Sequence, residues 1–66
     1  MEKPEIGTFW IFTNDIGEEF VCEVISTKDE RLKKFATGDD VCLYFPDHDW
    51  ATTYDLDVAT KHMRPA

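Results

Sequence analysis

Sixty-six residues, 42% of them hydrophobic and 14% aromatic, suffice for one small folded domain and are too apolar for an acidic disordered tail. Fourteen Asp and Glu against seven Lys and Arg leave a net charge of −7, which argues against a phosphate backbone or an anionic membrane surface as the general partner. No apolar run approaches the roughly 20 residues of a membrane-spanning helix, and the opening Met1-Glu2-Lys3-Pro4-Glu5 lacks the basic and apolar blocks of an export leader. The expected setting is the cytoplasm, without membrane insertion.

Residues 1–7 are mostly polar and carry Pro4, which predicts an extended lead-in prone to fraying. Thr8-Phe9-Trp10-Ile11-Phe12-Thr13 is β-branched and aromatic throughout and apolar on both faces, the pattern of a first strand sandwiched between other elements. A thin sheet cannot bury both faces unaided, so Phe9, Trp10, Ile11 and Phe12 supply the expected contact surface for a protein partner or a second copy. Asn14-Asp15-Ile16-Gly17 is a hairpin signal, and Phe20 to Ile25 resumes β character. By the two-residue period Phe20, Cys22 and Val24 share a core face, leaving Glu19, Val21, Glu23 and Ile25 on the wetter one.

Asp29-Glu30-Arg31-Leu32-Lys33-Lys34-Phe35 is rich in helix formers and pairs Leu32 with Phe35 at i, i+3, which predicts a helical turn or a crossing loop. Thr37-Gly38-Asp39-Asp40 turns the chain into a third strand, where Val41, Leu43 and Phe45 alternate with Cys42 and Tyr44 until Pro46 stops it. Pro46-Asp47-His48-Asp49 turns it again, and Trp50 to Leu56 has the composition of a fourth strand. Residues 57–66 lack a clear period. A short helix over residues 58–63 is compatible with them, Pro65 ends any ordered element, and His62 reads as a solvated tail residue.

Few motifs carry chemistry. The three glycines, Gly7, Gly17 and Gly38, write neither a P-loop nor a dinucleotide fingerprint. Ser26, the single serine, lies outside any nucleophile elbow, so neither catalysis nor a cofactor is expected. Cys22 and Cys42 sit in apolar strands and read as buried thiols, with a disulfide as the alternative. Asp47, His48 and Asp49 would hold a divalent cation only if Asp55 or Asp57 folded back onto them, and ordinary turn chemistry accounts for them better; no metal is assigned. Lys28, Arg31, Lys33 and Lys34 form the one cationic concentration, an anion or docking patch or else a solvated turn with Glu30 and Lys34 at i, i+4. From Phe35 to Thr60 there are acids at 39, 40, 47, 49, 55 and 57 and no Lys or Arg.

The block Gly17-Glu18-Glu19-Phe20-Val21-Cys22-Glu23-Val24, then Thr37-Gly38-Asp39-Asp40-Val41-Cys42-Leu43-Tyr44-Phe45-Pro46, then Asp49-Trp50-Ala51-Thr52-Thr53-Tyr54-Asp55 resembles the TOBE domain. That is the small OB-like barrel at the C-terminus of many ABC-importer ATPase subunits, with a G-D-x-V-x-L-x-F strand followed by a D-x-A-x-x-Y/F-D strand. The resemblance spans roughly Ile6 to Asp57. It implies an all-β fold: a partly open OB-like, TOBE-like barrel of four to five strands, with one short helical turn between strands two and three. Residues 1–7 would be the lead-in, 8–57 the barrel and 58–66 a tail. It also implies that Val41, Leu43 and Phe45 face the interior beside Phe20, Cys22 and Val24, and that Tyr54 closes the last strand over them.

Three departures accompany the resemblance: no strand precedes Thr8, no ATPase core is present, and the acid excess disfavours an oxyanion site. A missing strand would leave an edge for another chain to complete. The implied function is a non-enzymatic regulatory or binding module of a transport ATPase, acting in subunit contact or substrate sensing, with a protein partner, a second copy or a small-molecule ligand. The alternative is a free-standing acidic inhibitor or adaptor that occupies the basic groove of a nucleic-acid-binding protein without touching nucleic acid itself.

Overall fold

The computed structural model describes residues 3–33, 36–38 and 40–66. The strands are β1 (Phe9–Thr13), β2 (Glu19–Ile25), β3 (Asp40–Phe45), β4 (Trp50–Asp55) and β5 (Met63–Pro65), with a 3₁₀ turn at Pro46–His48 and one helix, α1 (Leu56–His62). They form a single antiparallel sheet in the order β4-β3-β2-β1-β5. The first four strands are a meander. The sheet does not close on itself, so the architecture is all-β and partly open.

Strand alternation fixes the core. Register sets Trp10 opposite Cys22, Phe12 opposite Phe20, Val24 opposite Leu43, and Val41 opposite Tyr54. Pleating sends all of these to one face. There Phe12, Cys22, Val24, Val41, Leu43 and Phe45 are buried, and Trp10, Phe20 and Tyr54 pack against them half-buried. The core residues expected from the period therefore meet. Ile25 and Cys42, on the opposite face, are also buried, although period alone assigned Ile25 to the wetter side.

Between β2 and β3 the described residues make two successive turns and no helical segment. Side chains take the amides a helix would need: Ser26 Oγ accepts from Lys28 N at 3.1 Å, and Asp29 Oδ1 accepts from Arg31 N at 2.9 Å. The Leu32–Phe35 and Glu30–Lys34 pairings, and Asp39 of the turn into β3, lie outside the described residues. Among the described residues the α-helix comes after β4, where a short helix over residues 58–63 is compatible with the sequence. Leu56 and Ala59 of α1 face the core, and the helix packs on β3, β4 and β5, carrying the chain from one edge of the sheet to the other.

That crossing changes the reading of both termini. β5 pairs with β1, setting Ile11 opposite Arg64 and Phe12 opposite Met63, so the position beside the first strand is filled from within the chain. At the other end the lead-in is pinned: Gly7 N donates to Val24 O at 2.8 Å, Val24 N donates to Thr8 O at 2.9 Å, and Lys3 Nζ donates to Gly38 O.

The β1–β2 turn is organised by Asn14. Its Oδ1 accepts from Ile16 N at 3.1 Å and from Glu18 N at 2.9 Å, and Gly17 sits at φ +85°. A Cβ added at Gly17 would meet nothing within 4 Å, so substitution there is penalised by backbone conformation alone. Gly17→Ala is expected to destabilise the domain by about 1 kcal/mol in urea unfolding, and Gly17→Asn by less, because Asn tolerates the left-handed region.

Candidate functional site

One end of the core face is left open. β1 ends there and β2 begins, β3 ends and β4 begins, so the 14–18 turn and residues 46–49 flank the same opening. Between them lies a cleft of about 230 Å³ lined by Phe12, Asn14, Phe20, Phe45, His48, Trp50 and Tyr54. Phe12 and Phe45 form its floor at 7% and 4% exposure, and Trp50 stands on the rim at 53%.

The rings hold one another at favourable geometries. Phe12 stacks on Tyr54 with centroids 5.1 Å apart and meets Phe45 edge-on at 5.7 Å. Phe45 stacks on Trp50 at 5.8 Å, and the His48 ring meets Phe20 edge-on at 5.1 Å. Behind the floor, His62 stacks on Phe12 at 5.5 Å, with its Nδ1 2.8 Å from the Thr13 carbonyl oxygen. Because a carbonyl only accepts, His62 carries its proton on Nδ1. The residue read as a solvated tail side chain is thus part of the support for the cleft.

The expected contact residues of the first strand divide between two faces. Phe12 is core and Trp10 is half-buried against it, its indole Nε1 donating to Thr8 Oγ1 at 2.9 Å. Only Phe9 and Ile11 remain on the outer face, where Phe9 and Val21 are exposed. The four-residue surface expected from the sequence is therefore halved by the pleat.

Of the cationic patch, Arg31 is engaged within the chain. Arg31 donates to both carboxylate oxygens of Asp29 at 2.9 and 2.8 Å, lies 3.8 Å from Glu23, and sits over the Tyr44 ring at 4.4 Å from its centroid. The Arg31 hydrogen bonds hold the Asp29 carboxyl down at about 2, and Asp29 raises the guanidinium pKa in turn. Lys28 and Lys33 are exposed, and Lys34 lies outside the described residues. Asp47, His48 and Asp49 do sit together in a turn, with Asp49 in the left-handed region at φ +46° and its Oδ1 accepting from Tyr44 Oη at 2.7 Å. Asp55 is at the far end of β4, about 20 Å from Asp49 at the usual rise of a strand, and Asp57 follows it in the first turn of α1, so neither folds back as the further ligand a cation would require.

Both cysteines are free and buried. They face opposite sides of the sheet, Cys22 toward the core and Cys42 away from it, so they do not pair. Burial pushes the Cys22 thiol from 9.0 up to about 11, against the smaller opposing effect of its 3.5 Å hydrogen bond to the Trp10 carbonyl. Burial also raises Cys42 and Tyr54. The folded state therefore keeps these protons to higher pH than the unfolded chain does. The stability they contribute is complete below pH 9.0 and is lost as pH rises toward about 11. Urea midpoints measured from neutral pH upward should fall in that window, and Cys22→Ala should flatten the fall.

Of the rim residues, His48 stands out in the sequence only as a candidate metal ligand, and Asn14 and Trp50 only as turn and strand residues. The available signal was positional: Phe12, Phe20, Phe45 and Trp50 each stand at or next to a strand end that abuts a turn. Comparison with known proteins adds no further constraint, since no protein-family model, curated protein or solved structure matches the chain.

Proposed function

We propose that the chain is a non-enzymatic binding module whose cleft at the open end of the sheet receives a side chain or small group from a partner. The observation that carries this reading is the exposure of Trp50 above a floor of buried rings. A small domain gains stability by covering such apolar surface, and an open aromatic cleft with a few polar groups is the usual form of a ligand site. Within that class the role is that of a TOBE-like accessory module, in subunit contact or substrate sensing for a transport ATPase. It is supported by the adjacency of β3, with Val41, Leu43 and Phe45 inward, and β4, which runs from Trp50 to Asp55.

The test is a fragment titration of isotope-labelled protein, with neutral aromatic, aliphatic and ammonium compounds equally represented. Chemical-shift changes are expected to concentrate at Phe12, Phe20, Phe45, His48, Trp50 and Tyr54. Changes concentrated at Phe9, Ile11 and Val21, or none in the cleft from any compound, would overturn the proposal.

A further inference from the structure

We infer that the cleft is shaped for a cation, the alkylated ammonium head of a modified lysine carried on a partner protein. This rests on the cleft being the binding site, and it specifies what the site selects.

Size comes first. Sites for drug-sized ligands occupy roughly 300–1,000 Å³, whereas this cleft offers about 230 Å³. It fits one side-chain head and no whole cofactor. The lining is next: apart from Asn14 and His48 it consists of Phe, Tyr and Trp rings, whose negative faces attract a cation, Trp most strongly. Trp50 stacks on Phe45 and stays exposed on the rim, where an incoming group reaches it first.

Electrostatics point the same way. The two flanking turns carry Asp15, Glu18, Asp47 and Asp49, the last bonded to Tyr44 of the opposite face, and no Lys or Arg, within a chain of net charge −7. Lys61 and Arg64 lie beyond Asn14 in a separate depression, where Arg64 is paired with Glu19. An anion would find no Lys or Arg among the described lining residues. A nucleobase could stack on the same rings, but its phosphates would meet this acidic surround.

The choice between cations follows from hydrogen bonding. A plain lysine ammonium is compact and strongly hydrated and needs acceptors to replace its water. The Asn14 carbonyl oxygen already accepts from Ile16 N and Glu18 N, and its amide nitrogen donates to Glu18 at 3.0 Å, which leaves a His48 ring nitrogen and the Tyr54 hydroxyl as side-chain acceptors among the described lining residues, too few for a lysine ammonium's N–H groups. A fully alkylated ammonium has no N–H to satisfy, so rings alone can hold it.

Three peptides of identical, uncharged flanking sequence test this, carrying trimethyllysine, its neutral carbon isostere or arginine, with tetramethylammonium chloride as a minimal probe. Binding is followed by chemical shifts in labelled protein, with the Trp10 indole N–H as internal control. The trimethyllysine peptide is expected to bind about tenfold tighter than the isostere, and Trp50→Ala to cost about tenfold, within the range of a desolvated cation–π contact. Trp50→Phe, which keeps a ring, should lose less. Equal affinity for the isostere or tighter binding of the arginine peptide overturns the ammonium assignment while leaving the cleft a binding site. If no peptide shifts the cleft at about 10 mM and the fragment panel also fails there, both readings fall together.

Discussion

Phe12→Ala is expected to cost about 3–5 kcal/mol, the usual range for emptying a buried aromatic position. A domain of this length has a total stability of about 3–10 kcal/mol, so much of the variant should be unfolded in water at room temperature. The size of the effect comes from the number of partners lost at once. Phe12 touches Phe45 edge-on and stacks with both Tyr54 and His62, and so joins β1 to β3, to β4 and to the end of α1. Far-UV circular dichroism and urea unfolding provide the measurement. Phe12→Leu, which keeps most of the volume, should cost about 1–1.5 kcal/mol and retain the fold while loosening the floor of the cleft. A loss below about 1 kcal/mol for the alanine variant would mean that the ring cluster is not the centre of the core.

Ala59→Asp should be of comparable severity, for an electrostatic reason. Ala59 is completely buried where α1 lies on the sheet, and an unpaired carboxylate there costs about 3–5 kcal/mol. Because desolvation favours the protonated acid, the defect should lessen as pH falls below the ordinary carboxylate range and the side chain becomes neutral. Val58→Asp is the matched control: it places the same charge one position along the helix, where the native side chain is 40% exposed, and should change stability by no more than about 0.5 kcal/mol. If the two variants unfolded at the same urea concentration, α1 would not be the cover of the core face. Undocking α1 would also release β5 from β1 and open the sheet edge that the C-terminal residues occupy.

The strands were readable because each carries its own signal. Phe20, Cys22 and Val24 alternate with Glu19, Val21 and Glu23, and Pro46 marks where β3 must stop; these are local properties of a pleated chain. The segment after Asp55 was harder. Val58, Thr60 and the short run to Pro65 have weak intrinsic preferences, and both the helix and the three-residue strand are stabilised by the sheet on which they lie. Around residues 26–31 the reverse held: helix-forming composition lost to Ser26 and Asp29, whose side chains captured nearby amides first.

The candidate site shows the same division. Sequence alone determined that the domain is small, acidic and β-rich, that Val41, Leu43 and Phe45 turn inward, and that aromatic residues supply much of its apolar surface. Only the tertiary structure decided which aromatics remain reachable: it buried Phe12, left Phe9 on the outer face, and set Trp50 on the rim with His48. Period two sorts a strand into faces but leaves open which face a helix will cover and how far that cover extends. Here α1 starts where β4 ends and finishes beside Thr13 at the end of β1, with His62 stacked on Phe12. The junction of β3 and β4 lies off that path, and there His48 and Trp50 became the rim of the cleft.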